Sequence, residues 1–197
     1  MKAVVLSVTD EQLAQRRLTG IDRFDEMWEG VLHMAPAPSY EHQRIVSEIN
    51  QFVGPLSRRC ARGELVIQIN IFNDTSPKPD YRIPDLSFIA KGREHIVAHD
   101  GTRGGGPDAV IEIRSPEDET YEKFPFFAKI GVREVIVIDR DTKRPEVYRL
   151  AGSQYLVVQA DARHALSSEV LGVRFIHIEP GRVRLEDIED PTSHVEI

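Results

Sequence analysis

Apolar positions along the chain change their period several times, and each change marks an element. Between residues 40 and 56, Ile45, Val46, Ile49, Phe52 and Val53 recur at the three-to-four spacing that places them on one face of an α-helix. Ser39 offers an N-cap just ahead of it, after Pro36 and Pro38 have ended a short strand over residues 31–35. From residue 65 to residue 72, Leu65, Ile67, Ile69 and Ile71 alternate with other residues, the period of one strand with a single face on a core. Upstream, residues 10–17 predict a short helix, although the first 30 residues are charged and only weakly periodic.

Residues 83–90 and 109–113 form apolar runs that predict buried strands, separated by a loop whose Gly104-Gly105-Gly106 suggests flexibility. That glycine run matches neither a P-loop nor a dinucleotide-binding fingerprint. A helix over about residues 120–130 ends at Gly131, a favoured residue just past a helix C-terminus. Pro125 must then lie in its first turn or two, which puts Lys123 close to the helix N-terminus. Strands over residues 135–139, 146–150 and 154–159 follow, joined by hairpins, and a last pair over 175–178 and 182–185 flanks Pro180-Gly181. The sum is an α/β (α+β) chain: a mixed β-sheet flanked by helices, with extra β-hairpins. We expect one domain over residues 1–197, with a core of about 28–150 and a C-terminal β extension of about 151–190.

Composition narrows the classes. With 41% hydrophobic and 29% charged residues the chain reads as soluble and globular, and a single cysteine, Cys60, excludes an intramolecular disulfide framework. A reducing cytoplasm fits that usage. The apolar run of residues 3–8 is far too short to span a membrane and ends at Thr9, Asp10 and Glu11, so neither a span nor a signal peptide is expected. The net charge of -7 argues mildly against a non-specific nucleic-acid coat, although acids gathered at a metal site would contribute to it. Arg58, Arg59 and Arg62 form a small basic cluster that could touch a DNA backbone. No HExxH or GxSxG pattern occurs.

Two acids stand out because each interrupts an apolar strand: Asp85 in Ile83-Pro84-Asp85-Leu86-Ser87-Phe88, and Glu112 in Ala109-Val110-Ile111-Glu112-Ile113. Unpaired buried charge is costly unless cations or hydrogen bonds compensate it, so the pair suggests a shared metal ion. Oxygen ligands favour Mg2+ (or Mn2+), which can activate water for phosphodiester hydrolysis, and a nearby Lys123 could orient that water or steady developing charge. Asp, then Glu, then Lys is the order of the triad in PD-(D/E)xK nucleases.

Four stretches make the resemblance more specific: WEGVLHMAPAPSYEHQRI (residues 28–45), PDLSFIA (84–90), PDAVIEIRSPEDETYEKFPFFAKIGVREVIVIDRDTKRPEVYRL (107–150) and SEVLGVRF (168–175). In this order they resemble the Uma-two family of restriction endonuclease-like proteins. The resemblance implies a Mg2+-dependent DNA endonuclease on a restriction-endonuclease-like core, with Asp85 and Glu112 holding metal, Lys123 assisting, and homodimers for cutting both strands of DNA. The position two after Glu112 is Arg114 rather than lysine, so the lysine role passes to Lys123, while Arg114 could hold a phosphate but not act as a base. Glu29, His42 and Glu119 are supporting candidates: Glu29 and His42 by lying in the first stretch, Glu119 as an added carboxylate or a helix-dipole acid. Two other readings stay open. One is a catalytically inactive nuclease fold that binds nucleic acid or protein; the other is a metal-free hydrolase using the two acids as a glycosidase does, which a single tryptophan makes less attractive.

Overall fold

A computed structural model describes residues 3–197. At its centre is a six-stranded sheet in the order β13 (Gln154–Val157), β12 (Pro145–Ala151), β11 (Glu134–Asp139), β10 (Ala109–Arg114), β7 (Leu86–Ala90) and β4 (Gly63–Ile67). Only β10 and β11 run parallel, and the connection between them is where the third helix, α3 (Phe124–Lys129), is placed. Side chains of β10 alternate in the ordinary way. Ala109, Ile111 and Ile113 face a core built with α2 (Tyr40–Arg59), while Val110 faces a second core with Phe126 and Phe127 of α3.

The amphipathic stripe predicted for residues 40–56 is the one that packs: Ile45, Ile49 and Val53 of α2 are all 0% exposed. Ser39 caps this helix by accepting from the His42 amide at 3.2 Å, and the helix continues through Pro55 to Arg59. A four-stranded sheet, β14 (Ala165–Ser168), β15 (Val173–Ile178), β16 (Arg182–Asp187) and β17 (His194–Glu196), adds Phe175, Val183 and Leu185 to the α2 core. Glu134, almost wholly buried, ties it to the centre by accepting from Ser168 Oγ at 2.5 Å and from the amides of Glu169 and Val170.

The charged first 30 residues, where only one short helix was expected, form that helix as α1 (Asp10–Thr19) and also supply two strands of a third sheet, which the strand expected over residues 31–35 joins. The order in this sheet is β1 (Ala3–Val5), β3 (Val31–Met34), β2 (Asp25–Trp28), β6 (Tyr81–Arg82), β5 (Asn70–Phe72), β9 (Gly101–Thr102) and β8 (Val97–Ala98). The alternation of residues 65–72 therefore spans two strands in two sheets. Gln68 breaks it with a φ of 48°, so Leu65 is buried in the central sheet and Ile71 in the N-terminal one, while Ile67 between them is 41% exposed. The Gly104–Gly106 run is anchored: the Gly106 amide donates to Ile130 O, and a Cβ there would sit 2.8 Å from a Val132 methyl. Small size for close packing explains that glycine.

Arg82 fixes the N-terminal sheet against α3. Its guanidinium carbon lies 4.2 Å from the ring centroid of Trp28 and 4.3 Å from that of Phe126, and its Nη1 donates to Met27 O and to Asp80. Stacking between two aromatic faces suits a planar, weakly hydrated cation. Arg82→Ala would leave the buried Asp80 without its cation and should cost about 3 kcal/mol of stability, read as a lower denaturant midpoint. Stability within a few tenths of wild type would show that the sandwich carries no weight.

Candidate active site

Asp85 lies immediately before β7, where Pro84 delays the start of regular pairing. In the antiparallel register of β7 and β10, Ile111 pairs with Leu86; one residue further along, Glu112 comes level with Asp85. The two acids thus meet at the same end of adjacent strands. The Ile113 amide donates to Asp85 Oδ2 at 2.8 Å, and His42 Nε2 lies 2.8 Å from Oδ1. Both oxygens of this buried carboxyl group have partners, which offsets the cost of removing them from water.

Glu112 sits on the α3 side of β10 and is 4% exposed. Facing it is Lys123, which occupies a 3₁₀ turn (Tyr121–Lys123) leading directly into α3, with Pro125 at the helix start where its missing amide hydrogen costs nothing. Lys123 Nζ donates to Glu112 Oε1 at 3.2 Å and lies 2.9 Å from Glu26 Oε1. Glu26, on β2, also accepts from the Ile83 amide at 2.9 Å and from the Trp28 indole at 2.8 Å. One ammonium therefore bridges two carboxylates from different sheets.

The charge balance is uneven. Burial, with help from the charges of Asp85 and Glu26, pushes the Glu112 carboxyl up to about 8 against the pull of Lys123. Burial would raise Glu26 as well, but Lys123, the Ile83 amide and Trp28 outweigh it and hold that carboxyl below its usual range. Lys123, which burial alone would discharge, is held protonated by Glu112, Glu26 and Asp85. Below about pH 8 Glu112 is the neutral member of this cluster, and a cation placed beside it would favour its ionised form. Among the described residues no group of three or more His, Cys, Asp or Glu side chains is placed to hold a metal ion. Two carboxyl groups, Asp85 and Glu112, are the oxygen donors at this end of the strands, and of the common cations such a set would suit Mg2+, which keeps much of its hydration.

These groups lie in a cleft of about 270 Å3 between the central and N-terminal sheets. His42 and Glu119 reach it too, with His33 Nδ1 3.1 Å from Glu119 Oε2. Glu29 does not. It occupies the tip of the β2–β3 hairpin with a φ of 50°, followed by Gly30 in the same half of conformational space, and its side chain is 72% exposed. Arg114 also lies elsewhere: it pairs with Asp139, level with it on β11, at 3.2 Å and lies beside the Tyr121 ring. Of the basic cluster, Arg62 pairs with Glu189 at 2.8 Å, which engages it with the C-terminal segment.

The profile of the family described as "Putative restriction endonuclease", Uma2, matches residues 11–178. The chain belongs to the Uma2 family. Among solved structures, a nuclease-like protein of the DUF820 group from Anabaena variabilis, described as a "putative nuclease", superposes with a TM-score of 0.60 at 19% identity. The match covers 75% of this chain and 82% of that one, and it establishes the shared fold. No curated protein matches the chain.

In this Uma2 chain the residue that sequence reasoning missed is Glu26. It lies in Asp25-Glu26-Met27-Trp28, a four-residue strand too short and too charged for periodicity to reveal. Only its place two residues before the single tryptophan, which becomes its hydrogen-bond donor, offered a signal.

A carboxyl raised by folding adds stability that is complete below its unfolded value, near 4.5, and is lost as pH climbs through about 8. In metal-free buffer, the melting temperature of wild type should therefore fall relative to Glu112→Gln between about pH 5 and about pH 9. Two melting curves displaced by a constant amount across that range would show that Glu112 titrates normally.

Proposed function

We propose that this Uma2 protein is a divalent-metal-dependent DNA endonuclease. The observation that carries this reading is the meeting of Asp85 and Glu112 at one end of adjacent strands with Lys123 3.2 Å from Glu112, inside a cleft. A Mg2+ or Mn2+ ion between the two carboxylates would supply Lewis-acid chemistry, offsetting phosphate charge and making water a better nucleophile. Water attacks phosphorus, the bond from phosphorus to one sugar oxygen breaks, and a phosphate monoester and a hydroxyl result. The attacking water loses a proton to solvent and the leaving oxygen takes one up.

The chain's own groups divide the remaining work. Lys123, held protonated, places positive charge beside the phosphate as negative charge develops there. Glu26 positions that ammonium, and His42 with the Ile113 amide fixes the orientation of Asp85. A homodimer with two symmetric sites is the assembly that cutting both strands of a duplex would require, and sedimentation equilibrium tests it.

At least one of supercoiled plasmid, whose underwound duplex opens locally, and single-stranded DNA should be cut by wild type with Mg2+ or Mn2+ and left intact by Asp85→Ala and Glu112→Ala, with EDTA abolishing the reaction. Each of those variants should also weaken Mn2+ binding in calorimetric titration. Lys123→Ala should keep metal affinity while kcat falls by about 100-fold. Metal-independent cleavage, or cleavage unchanged in Glu112→Ala, would remove this reading in favour of a binding module.

A further inference from the structure

We infer that the substrate is an unpaired nucleic-acid strand rather than an intact duplex, an assignment that rests on the hydrolytic reading above and narrows it. The proposed reacting groups lie deep, with Asp85 8% and Glu112 4% exposed. The cleft above them, about 270 Å3, is of single-nucleotide size. A duplex is a stiff rod whose two backbones are held about 12 Å apart across the major groove, so it cannot turn one phosphodiester inward to groups this buried without unpairing. One unpaired strand can lower a single phosphate to the bottom.

The walls differ in chemistry in a way that suits that strand. The N-terminal segment lines the cleft with Phe24, Met34, Pro36 and Pro38, which are half-buried or exposed. The loop carrying Glu117, Asp118 and Glu119 lines it as well. Lys123 is the one lysine or arginine among the described residues lining the cleft, so a polyanion with two backbones finds no row of cations along it. An unpaired base finds an apolar face and the Phe24 ring, beside which the Arg23 guanidinium lies 5.4 Å from the ring centroid, and stacking on such a pair is open to every base because each has a π-face. Phe24 is then a binding residue, and the acidic loop repels a second strand.

The experiment uses one labelled sequence as single-stranded DNA, single-stranded RNA and blunt duplex DNA, with Mn2+ for cleavage and Ca2+ for binding by fluorescence anisotropy. Wild type should cleave and bind at least one single strand about ten-fold better than the duplex. Phe24→Ala should raise KM for that strand about ten-fold with kcat nearly unchanged, while Phe24→Tyr retains wild-type KM. The two single-stranded arms distinguish DNA from RNA. Equal or better use of the duplex overturns the inference and leaves the nuclease reading standing, as does a Phe24→Ala variant that folds and behaves as wild type. No cleavage of any substrate overturns the hydrolytic reading, and anisotropy then decides the rest: selective, Phe24-dependent single-strand binding keeps the ligand assignment, and its absence removes that too.

Discussion

Lys123 connects three parts of the chain through its side chain and its place at the start of α3. Its ammonium meets Glu112 on the central sheet and Glu26 on the N-terminal sheet, while its own backbone begins α3. Opposite charges so close and so little hydrated interact far more strongly than surface pairs, but only as a set, because removing one member strands the others. The bridge fixes the separation of the two sheets at the cleft and holds α3 at its start. Glu112 is then presented beside Asp85, and the shape of the cleft follows from that spacing.

The bridge in turn depends on Glu26 being where it is, and Arg82 secures that. Its guanidinium lies against the rings of Trp28 and Phe126, and Trp28, on the same face of β2 as Glu26, spends its indole hydrogen on that carboxylate. A positively charged side chain with aromatic faces on both sides thus positions a negatively charged one that faces a lysine. Packing and electrostatics are coupled at each link, and a change in either reaches the same carboxylates.

How far the sequence revealed this depends on how each element earns its burial. The helix around Ile45 and Ile49 and the strands around Asp85 and Glu112 bury long apolar runs, so periodicity alone marks them. Pro125 and Gly131 likewise bracket α3 through backbone geometry that any reader of the chain can apply. The strand at residues 31–34 apart, the N-terminal sheet was hard to read because its strands are mostly two to four residues long and stabilised by partners distant in sequence, as Met27 with Tyr81. The continuous alternation from Leu65 to Ile71 misled for a related reason. A period-two sequence pattern persists when a strand leaves one sheet and enters another although burial does not, and here the crossing shows only in the left-handed backbone at Gln68 and the 41% exposure of Ile67. Glu26 shared the fate of its strand, whereas Glu29, in the same stretch, was conspicuous and lies at a hairpin tip.

The arrangement of charge has a further consequence for how such a site would work on the proposed reading. Asp85 and Glu26 outnumber Lys123 even while Glu112 is neutral, and the cleft lining adds Glu117. A phosphate entering without a cation would meet net negative charge in a poorly hydrated space, where repulsion is strong. A divalent cation entering without phosphate would relieve the carboxylates but still seek oxygen ligands beyond the two they offer. Each occupant therefore improves the site for the other, and by linkage the benefit is mutual and equal. An acidic protein can in this way take an anionic substrate without a basic surface, because the attraction is created locally by the ion rather than spread across the fold.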